Sequence, residues 1–185
     1  MNNRAIVFID GSNFYFRLKD LAIQLGGKIS LLDFNFSGFS QSLVGPNNLI
    51  EARYYIGALK RQLDNEKSER MYADQQKLLA KLDRQHIKII LGQLIQHPDK
   101  TFHEKGVDVR LAVEMIRLAR SDSYDTAYLL SSDTDLVAAI EEVRSFNKKV
   151  VYVGVANGQS FGLTKAANNT VLLRLEDIKP FLKML

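Results

Sequence analysis

Four aspartates in this 185-residue chain have the residue type and the setting to act as a group: Asp10, Asp108, Asp133 and Asp135. Asp10 closes the apolar run Ala5-Ile6-Val7-Phe8-Ile9. Asp133 and Asp135 follow a second such run, Thr126 to Leu130, after Ser131 and Ser132. Asp108 opens a helical pattern in which Leu111, Ala112, Met115 and Ala119 recur on its own side, so it shares the apolar stripe. An ionised carboxylate on such a stripe is costly unless it is paired or holds a cation. Asp133 repeats the pattern, with Leu136, Val137 and Ile140 on its face. Carboxylates drawn to one place repel each other. Hard divalent cations such as Mg2+ or Mn2+ relieve that repulsion, because carboxylate and water oxygens are the ligands they take. A cation so held can activate water and stabilise the transition state of phosphodiester cleavage.

Each acid also has a structural reading. Asp10, Ser12 and Asn13 suit the N-cap of a helix, and Ser132 with Asp135 has the spacing of a variant capping box. Acids favour helix N-termini in any case. Glu114 shares a stripe with Arg110 and Arg117 and reads as a solvated member of ordinary surface ion pairs.

The elements that must position these residues alternate. Strands are expected at 5–9, 49–59, 87–91, 126–130 and 149–155, with a short one at 170–173. Helices are expected at 13–25, 70–85, 107–120, 133–146 and 176–183. Gly26-Gly27 ends the first helix, Ser30 to Phe34 opens a second, and His97-Pro98-Asp99-Lys100 breaks the chain. Strands alternating with helices imply right-handed βαβ units. The expected architecture is one α/β domain over residues 1–185, with a mainly parallel sheet of five to six strands flanked by helices. In such sheets chemistry collects at the carboxyl ends of the strands.

Composition narrows the class. There are 25 basic and 21 acidic residues, a net charge of +4, which is a mild bias towards anionic partners. Cysteine is absent, which excludes disulfides and thiolate metal sites and suits a reducing cytoplasm. No apolar run reaches membrane-spanning length, and the first residues lack a signal-peptide pattern. His86, His97 and His103 have no metal-ligand spacing. There is no phosphate-cradling Gly-Lys-Ser/Thr loop, dinucleotide fingerprint or serine-hydrolase elbow.

Arg53, Lys60, Arg61, Lys67 and Arg70 fall around the end of the 49–59 strand, interleaved with Tyr54, Tyr55 and Tyr72. Basic and aromatic residues together grip phosphates and stack bases. The same residues also read as a solvated loop over core tyrosines. Lys105, just before Asp108, either meets a phosphate or neutralises the acids.

Three blocks carry a family resemblance: Phe8-Ile9-Asp10-Gly11-Ser12-Asn13-Phe14-Tyr15, Lys105-Gly106-Val107-Asp108-Val109, and Asp125 to Leu136. In this order and spacing they resemble the NYN domain, a family of PIN-like nucleases, and more closely its bacterial LabA-like branch. The match spans roughly Ile6 to Val155. The resemblance implies a three-layer Rossmann-like sheet with the first strand central and beside the 126–130 strand, so that Asp10 meets Asp133 and Asp135. It implies metal-dependent ribonuclease chemistry. Mg2+ or Mn2+ is the expected cation, and single-stranded RNA the expected substrate, because a flexible backbone can bend towards a metal in a strand-end cleft. Asp10, Asp108, Asp133 and Asp135 match the metal and catalytic positions, with Asn13 orienting a ligand or water. Ser132 and Thr134 would support them. Ser12 is a further expected support, and the basic stretch makes Arg53, Lys60 and Arg61, together with Lys105, the expected RNA contacts. The third block departs from the common pattern: Ser132 stands for glycine, Thr134 for serine and Leu136 for phenylalanine. Asn168 and Glu114 stand where aspartates are usual.

Two other functions are compatible with these residues. One is a module that keeps the site but acts by binding RNA or a regulatory protein, or by pairing with a second copy of itself. The other is a phosphatase using Asp133-Thr134-Asp135, although that arrangement ordinarily follows the first strand of its fold.

Overall fold

A strand that is apolar on both sides must be covered on both sides. In the computed structural model, which describes residues 3–23, 30–59, 66–96, 102–156 and 158–182, β1 (Arg4–Asp10) is such a strand. Ala5 to Ile9 are at most 1% exposed. Ala5, Val7 and Ile9 pack with Phe14 and Leu18 of α1 (Gly11–Ile23), Phe36 and Phe39 of α2 (Phe36–Val44) and Leu82 of α3 (Glu66–Arg84). Ile6 and Phe8 pack on the other side, with Leu111 and Met115 of α4 (Val107–Arg120), Ile140 of α5 (Val137–Ser145) and Leu163 of α6 (Phe161–Ala166).

The remaining strands are β2 (Asn48–Gly57), β3 (Lys88–Gln96), β4 (Phe102–Lys105), β5 (Thr126–Leu130), β6 (Lys149–Val155) and β7 (Asn169–Leu173). The sheet order is β4-β3-β2-β1-β5-β6-β7. Six strands run parallel, and β4 pairs antiparallel with β3 at the edge. The expected three-layer, mainly parallel fold is therefore present, with β1 central and next to β5. β4 is an addition, because a four-residue edge strand needs little apolar patterning.

The topology prepares a crevice. From β1 the chain lays β2, β3 and β4 on one side, then crosses back to lay β5, β6 and β7 on the other. α1 leaves the end of β1 on one face of the sheet, and the turn into α5 leaves the end of β5 on the opposite face. The two connections diverge, leaving an opening beyond the carboxyl ends of β1 and β5, the usual ligand position in open α/β sheets.

Local differences from expectation have physical reasons. The 30–34 segment forms a 3-10 turn, Leu31–Asp33, capped by Ser30, and α2 follows it. Asn35 caps α2 by accepting the Gly38 N–H at 2.9 Å. Phe34, Phe36 and Phe39 pack around Phe14, which no helical or strand period announces. α3 starts four residues earlier than expected, and α6 was not anticipated. The 133–146 helix begins as a 3-10 turn, Thr134–Leu136. The terminal helix is a short α7 (Leu175–Ile178) and a 3-10 turn. Gly26-Gly27 and the 97–100 break lie outside the described residues. Among the described residues no helix is long and apolar enough to cross a membrane.

Candidate active site between the ends of β1 and β5

Asp10 ends β1 and is 6% exposed. Alternation along the strand puts it on the same side as Ile6 and Phe8, the side covered by α4 and α5. Its carboxylate is held by three donors. Oδ1 accepts the Asn13 backbone N–H at 3.1 Å. Oδ2 accepts from Asn13 Nδ2 at 2.6 Å and from the Ser131 hydroxyl at 3.0 Å. The Ser131 oxygen in turn accepts the Asp133 N–H at 3.1 Å. Asp133 Oδ1 accepts the Asp135 N–H at 3.0 Å. On the other side, Asn13 Oδ1 accepts from the Ser132 hydroxyl at 2.6 Å, and Arg17 Nη2 donates to that hydroxyl at 3.2 Å. One relay therefore joins Asp133, Ser131, Asp10, Asn13, Ser132 and Arg17.

The capping alternatives are realised within this relay. Asp10 caps α1 and Asp133 caps the 3-10 turn before α5. The variant capping box between Ser132 and Asp135 does not form, because the Ser132 hydroxyl is turned to Asn13. Gly11 follows Asp10 because β2 passes so close. A Cβ there would run into the Tyr54 ring and come within 2.7 Å of the Tyr55 carbonyl oxygen. Ser12 and Thr134 are exposed, and Thr134 packs its methyl group near Gly162.

Asp108 is half-buried in the first turn of α4. Gly106, at φ +81°, lets the chain turn from β4 into that helix, a conformation that side-chain-bearing residues seldom adopt. Val107 lies directly over Gly92 of β3, where a Cβ would collide with it. Gly92 pairs with Gly57, two residues beyond the row that joins Asp10 to Tyr55 and Ile90. Asp108 thus lies at the same end of the sheet as Asp10, but its helix starts over β3. At ~4.8 Å per strand, that is roughly 10 Å across the sheet from β1. Asp135 is exposed. Among the described residues, no three or more His, Asp or Glu side chains are arranged to hold a metal ion.

The donor chemistry still suits a hard cation. Asp10 and Asp133 sit at the ends of neighbouring strands and are joined through one hydroxyl. Asp133 Oδ2 accepts no hydrogen bond from a described residue. Mg2+ commonly binds through one or two carboxylates, with waters and substrate phosphate completing the shell. The residues fit a cation held in that way rather than one enclosed by four protein ligands.

Arg53 was expected to contact RNA, and the structure corrects this. It is 4% exposed, its Nε lies 2.5 Å from Glu51 Oε2, and its Nη1 lies 2.6 Å from Glu114 Oε2. Glu114 is likewise not solvated. It is 9% exposed and also accepts the Tyr55 hydroxyl at 3.0 Å. Its expected partners Arg110 and Arg117 are present at 3.6 and 3.8 Å. The two charges are buried between β2 and α4 because each meets the other there. Tyr54 and Tyr55 are fully buried and cannot stack on bases. Burial raises both phenol pKa values, reinforced at Tyr54 by the charge of Asp10 and at Tyr55 by Glu114 against the opposing pull of Arg53. Lys60 and Arg61 lie outside the described residues, as does the side chain of Lys105.

Sequence reasoning missed Ser131 and Arg17. Ser131 carried a usable signal: two positions beyond Leu129, it falls on the same face of β5. Arg17 carried none, since its partner Ser132 is 115 residues away in sequence.

Residues 4–174 match the model of the NYN domain family. No curated protein matches the chain. Among solved structures it is similar to the crystal structure of a protein of unknown function from Vibrio parahaemolyticus RIMD 2210633, with 19% identity, a TM-score of 0.68 and coverage of 96% of each chain. At that identity the likeness concerns the fold, and it agrees with the three-layer sheet. The family match covers nearly the whole sequence, from the start of β1 to the end of β7: the chain belongs to the NYN domain family, within the PIN-like nucleases.

Proposed function

We propose that this protein is a metal-dependent ribonuclease of the LabA-like branch, cutting single-stranded RNA in the cytoplasm with Mg2+ or Mn2+ held at Asp10 and Asp133. One observation carries the reading: Ser131 links the Asp10 carboxylate to the Asp133 turn at the crevice where the strand order reverses. A cation bound there supplies a polarised water and offsets charge on the phosphodiester. The chain's own residues prepare the place for it. Asn13 fixes both oxygens of Asp10, and Ser132 fixes Asn13. Asp108 and Asp135 bring further carboxylates to the same end of the sheet and are assigned contacts through water. Lys60, Arg61 and Lys105 are proposed phosphate contacts. A single strand suits an opening at strand ends because its backbone bends freely and its bases are unstacked.

A second reading draws on a different observation. Asp10 already accepts three hydrogen bonds, which favours a structural carboxylate in a module that binds RNA, a regulatory protein or a second copy of the chain. The phosphatase alternative gains no support, because Asp133 is engaged in capping and follows β5 rather than β1. Incubating the purified protein with labelled single-stranded RNA and Mn2+ separates the two main readings. Cleavage that stops on adding chelator supports the nuclease, whereas retention of intact RNA supports the binding module.

A further inference from the structure

We infer that Arg17, Gly158 and Phe161 form a nucleotide subsite beside the Asp10–Asp133 crevice, with Arg17 taking a phosphate and Phe161 stacking on a base. The inference rests on the ribonuclease reading and deepens it by naming where the RNA next to the cut is held.

Arg17 stands one helical turn after Asn13 on α1, and its guanidinium reaches the Ser132 hydroxyl. Its only ion pair among the described residues is with Asp20, at 3.6 Å between partly exposed side chains. Such a pair contributes little and is readily exchanged for a phosphate. Gly158, which precedes α6, lies against this guanidinium: a Cβ there would collide with it.

Three residues further on, Phe161 begins α6 and is 78% exposed, more than any other large apolar residue among those described. Local structure holds it out. Ser160 caps α6 by accepting the Leu163 N–H at 3.3 Å, and the Ser160 N–H donates to the buried Tyr152 hydroxyl at 3.0 Å. On the far side, the position next to Phe161 backs onto the turn that carries the acids. A Cβ at Gly162 would lie 3.4 Å from Thr134 and 3.5 Å from Val137.

A cation and an exposed apolar ring thus stand at the two ends of the short segment from Gly158 to Phe161. Gly158 and Phe161 are separated by at most about 10 Å of chain, the scale of one nucleotide from phosphate to base. A guanidinium beside an exposed aromatic ring is the combination that grips single-stranded nucleic acid without reading its sequence.

The test is fluorescence anisotropy of a fluorescein-labelled oligouridylate in chelator, so that the RNA stays intact, over a range of salt. Phe161→Ala should raise Kd by about 5- to 100-fold with the salt slope unchanged, and Phe161→Tyr should restore affinity. Arg17→Gln should weaken binding and reduce the slope of log affinity against log salt by about 0.7, the value for one phosphate contact on a single strand. The chain has no tryptophan, so Phe161→Trp places a lone indole whose emission should be quenched as RNA is added. Wild-type affinity in Phe161→Ala, or an unchanged slope in Arg17→Gln, overturns the subsite while leaving the nuclease reading intact. A wild-type protein that neither binds nor cuts RNA overturns both.

Discussion

The hydroxyl of Ser131 lies 3.0 Å from Oδ2 of Asp10. The contact follows from register: β1 and β5 run parallel with Ile9 opposite Leu130, so the next residues of the two strands meet. The same oxygen accepts the Asp133 N–H. One buried hydroxyl therefore ties together two turns that leave the sheet on opposite faces. Ser131→Ala should lose about 1.5–3 kcal/mol, the worth of a hydrogen bond to a charged group, in urea denaturation. It should also slow RNA cleavage, because the Asp10 carboxylate and the Asp133 turn lose their common anchor. An unchanged urea midpoint contradicts this role.

The two aspartates should respond differently to the same substitution. Asp133 caps through a single oxygen, and asparagine caps as well as aspartate, so Asp133→Asn should keep its stability while Asp133→Ala loses about 1 kcal/mol. Asp10 faces donors at both oxygens, so the amide of Asp10→Asn must turn a donor towards a donor. That should cost about 1–3 kcal/mol. Thermal denaturation should rank Asp133→Asn above both other variants. Equal stability of the two asparagine variants contradicts the bonding described for Asp10.

These contrasts show which parts of the molecule the sequence discloses. Thr126–Leu130, Lys149–Val155 and Val107–Arg120 have the bounds expected from their apolar periods, because those periods reflect burial against the sheet. The end-of-strand position of Asp10 and Asp133 is legible for the same reason. Pairing across the fold is not. Arg53 and Glu114 are 61 residues apart, and each alone resembles a surface charge. α6 is six residues long and shows no full amphipathic period. The distribution of the acids, with the helix of Asp108 starting over β3 and Asp10 on β1, depends on where a helix begins over the sheet, which spacing along the chain does not encode.

The buried pair between β2 and α4 makes a sharp stability prediction. Glu114→Ala leaves the Arg53 guanidinium and the Tyr55 hydroxyl without their shared acceptor in a buried setting. Because Glu51 still pairs with Nε of Arg53, the loss should fall below the ~3–5 kcal/mol of a buried charge left wholly unpaired, at about 1–3 kcal/mol. Arg117→Ala removes only an exposed partner at 3.8 Å and should change stability by less than about 1 kcal/mol. Urea denaturation of the two variants measures the contrast. Similar small losses in both would mean that Glu114 is solvated after all.

At the opposite end of the sheet, Arg4 binds Asp122 and Asp125, and Lys148 pairs with Asp122. The hydrogen-bonded Arg4 guanidinium holds the Asp125 carboxyl well below the usual carboxylate range, and Lys148 together with Arg4 lowers that of Asp122. Folded pKa values below the unfolded value of about 4 give a contribution that is complete above that pH and lost as pH falls through the folded values. Arg4→Gln should therefore be less stable than wild type near neutrality, with the difference shrinking as pH drops below about 4. A difference that stays constant across that window contradicts the ion-pair account of this corner.

The central claim, that the Asp10–Asp133 crevice performs metal-dependent cleavage, is tested most directly by comparing initial rates of single-stranded RNA cleavage by wild type and Asp133→Asn across a Mn2+ titration. Asp133→Asn keeps the cap and the fold, so a loss of rate reports on the carboxylate charge itself. Cleavage by wild type should rise with Mn2+, stop with chelator and fall by about 100-fold or more in Asp133→Asn, beyond the loss typical of residues that only support a metal's ligands. Equal rates for the two proteins, or cleavage that ignores chelator, would contradict it.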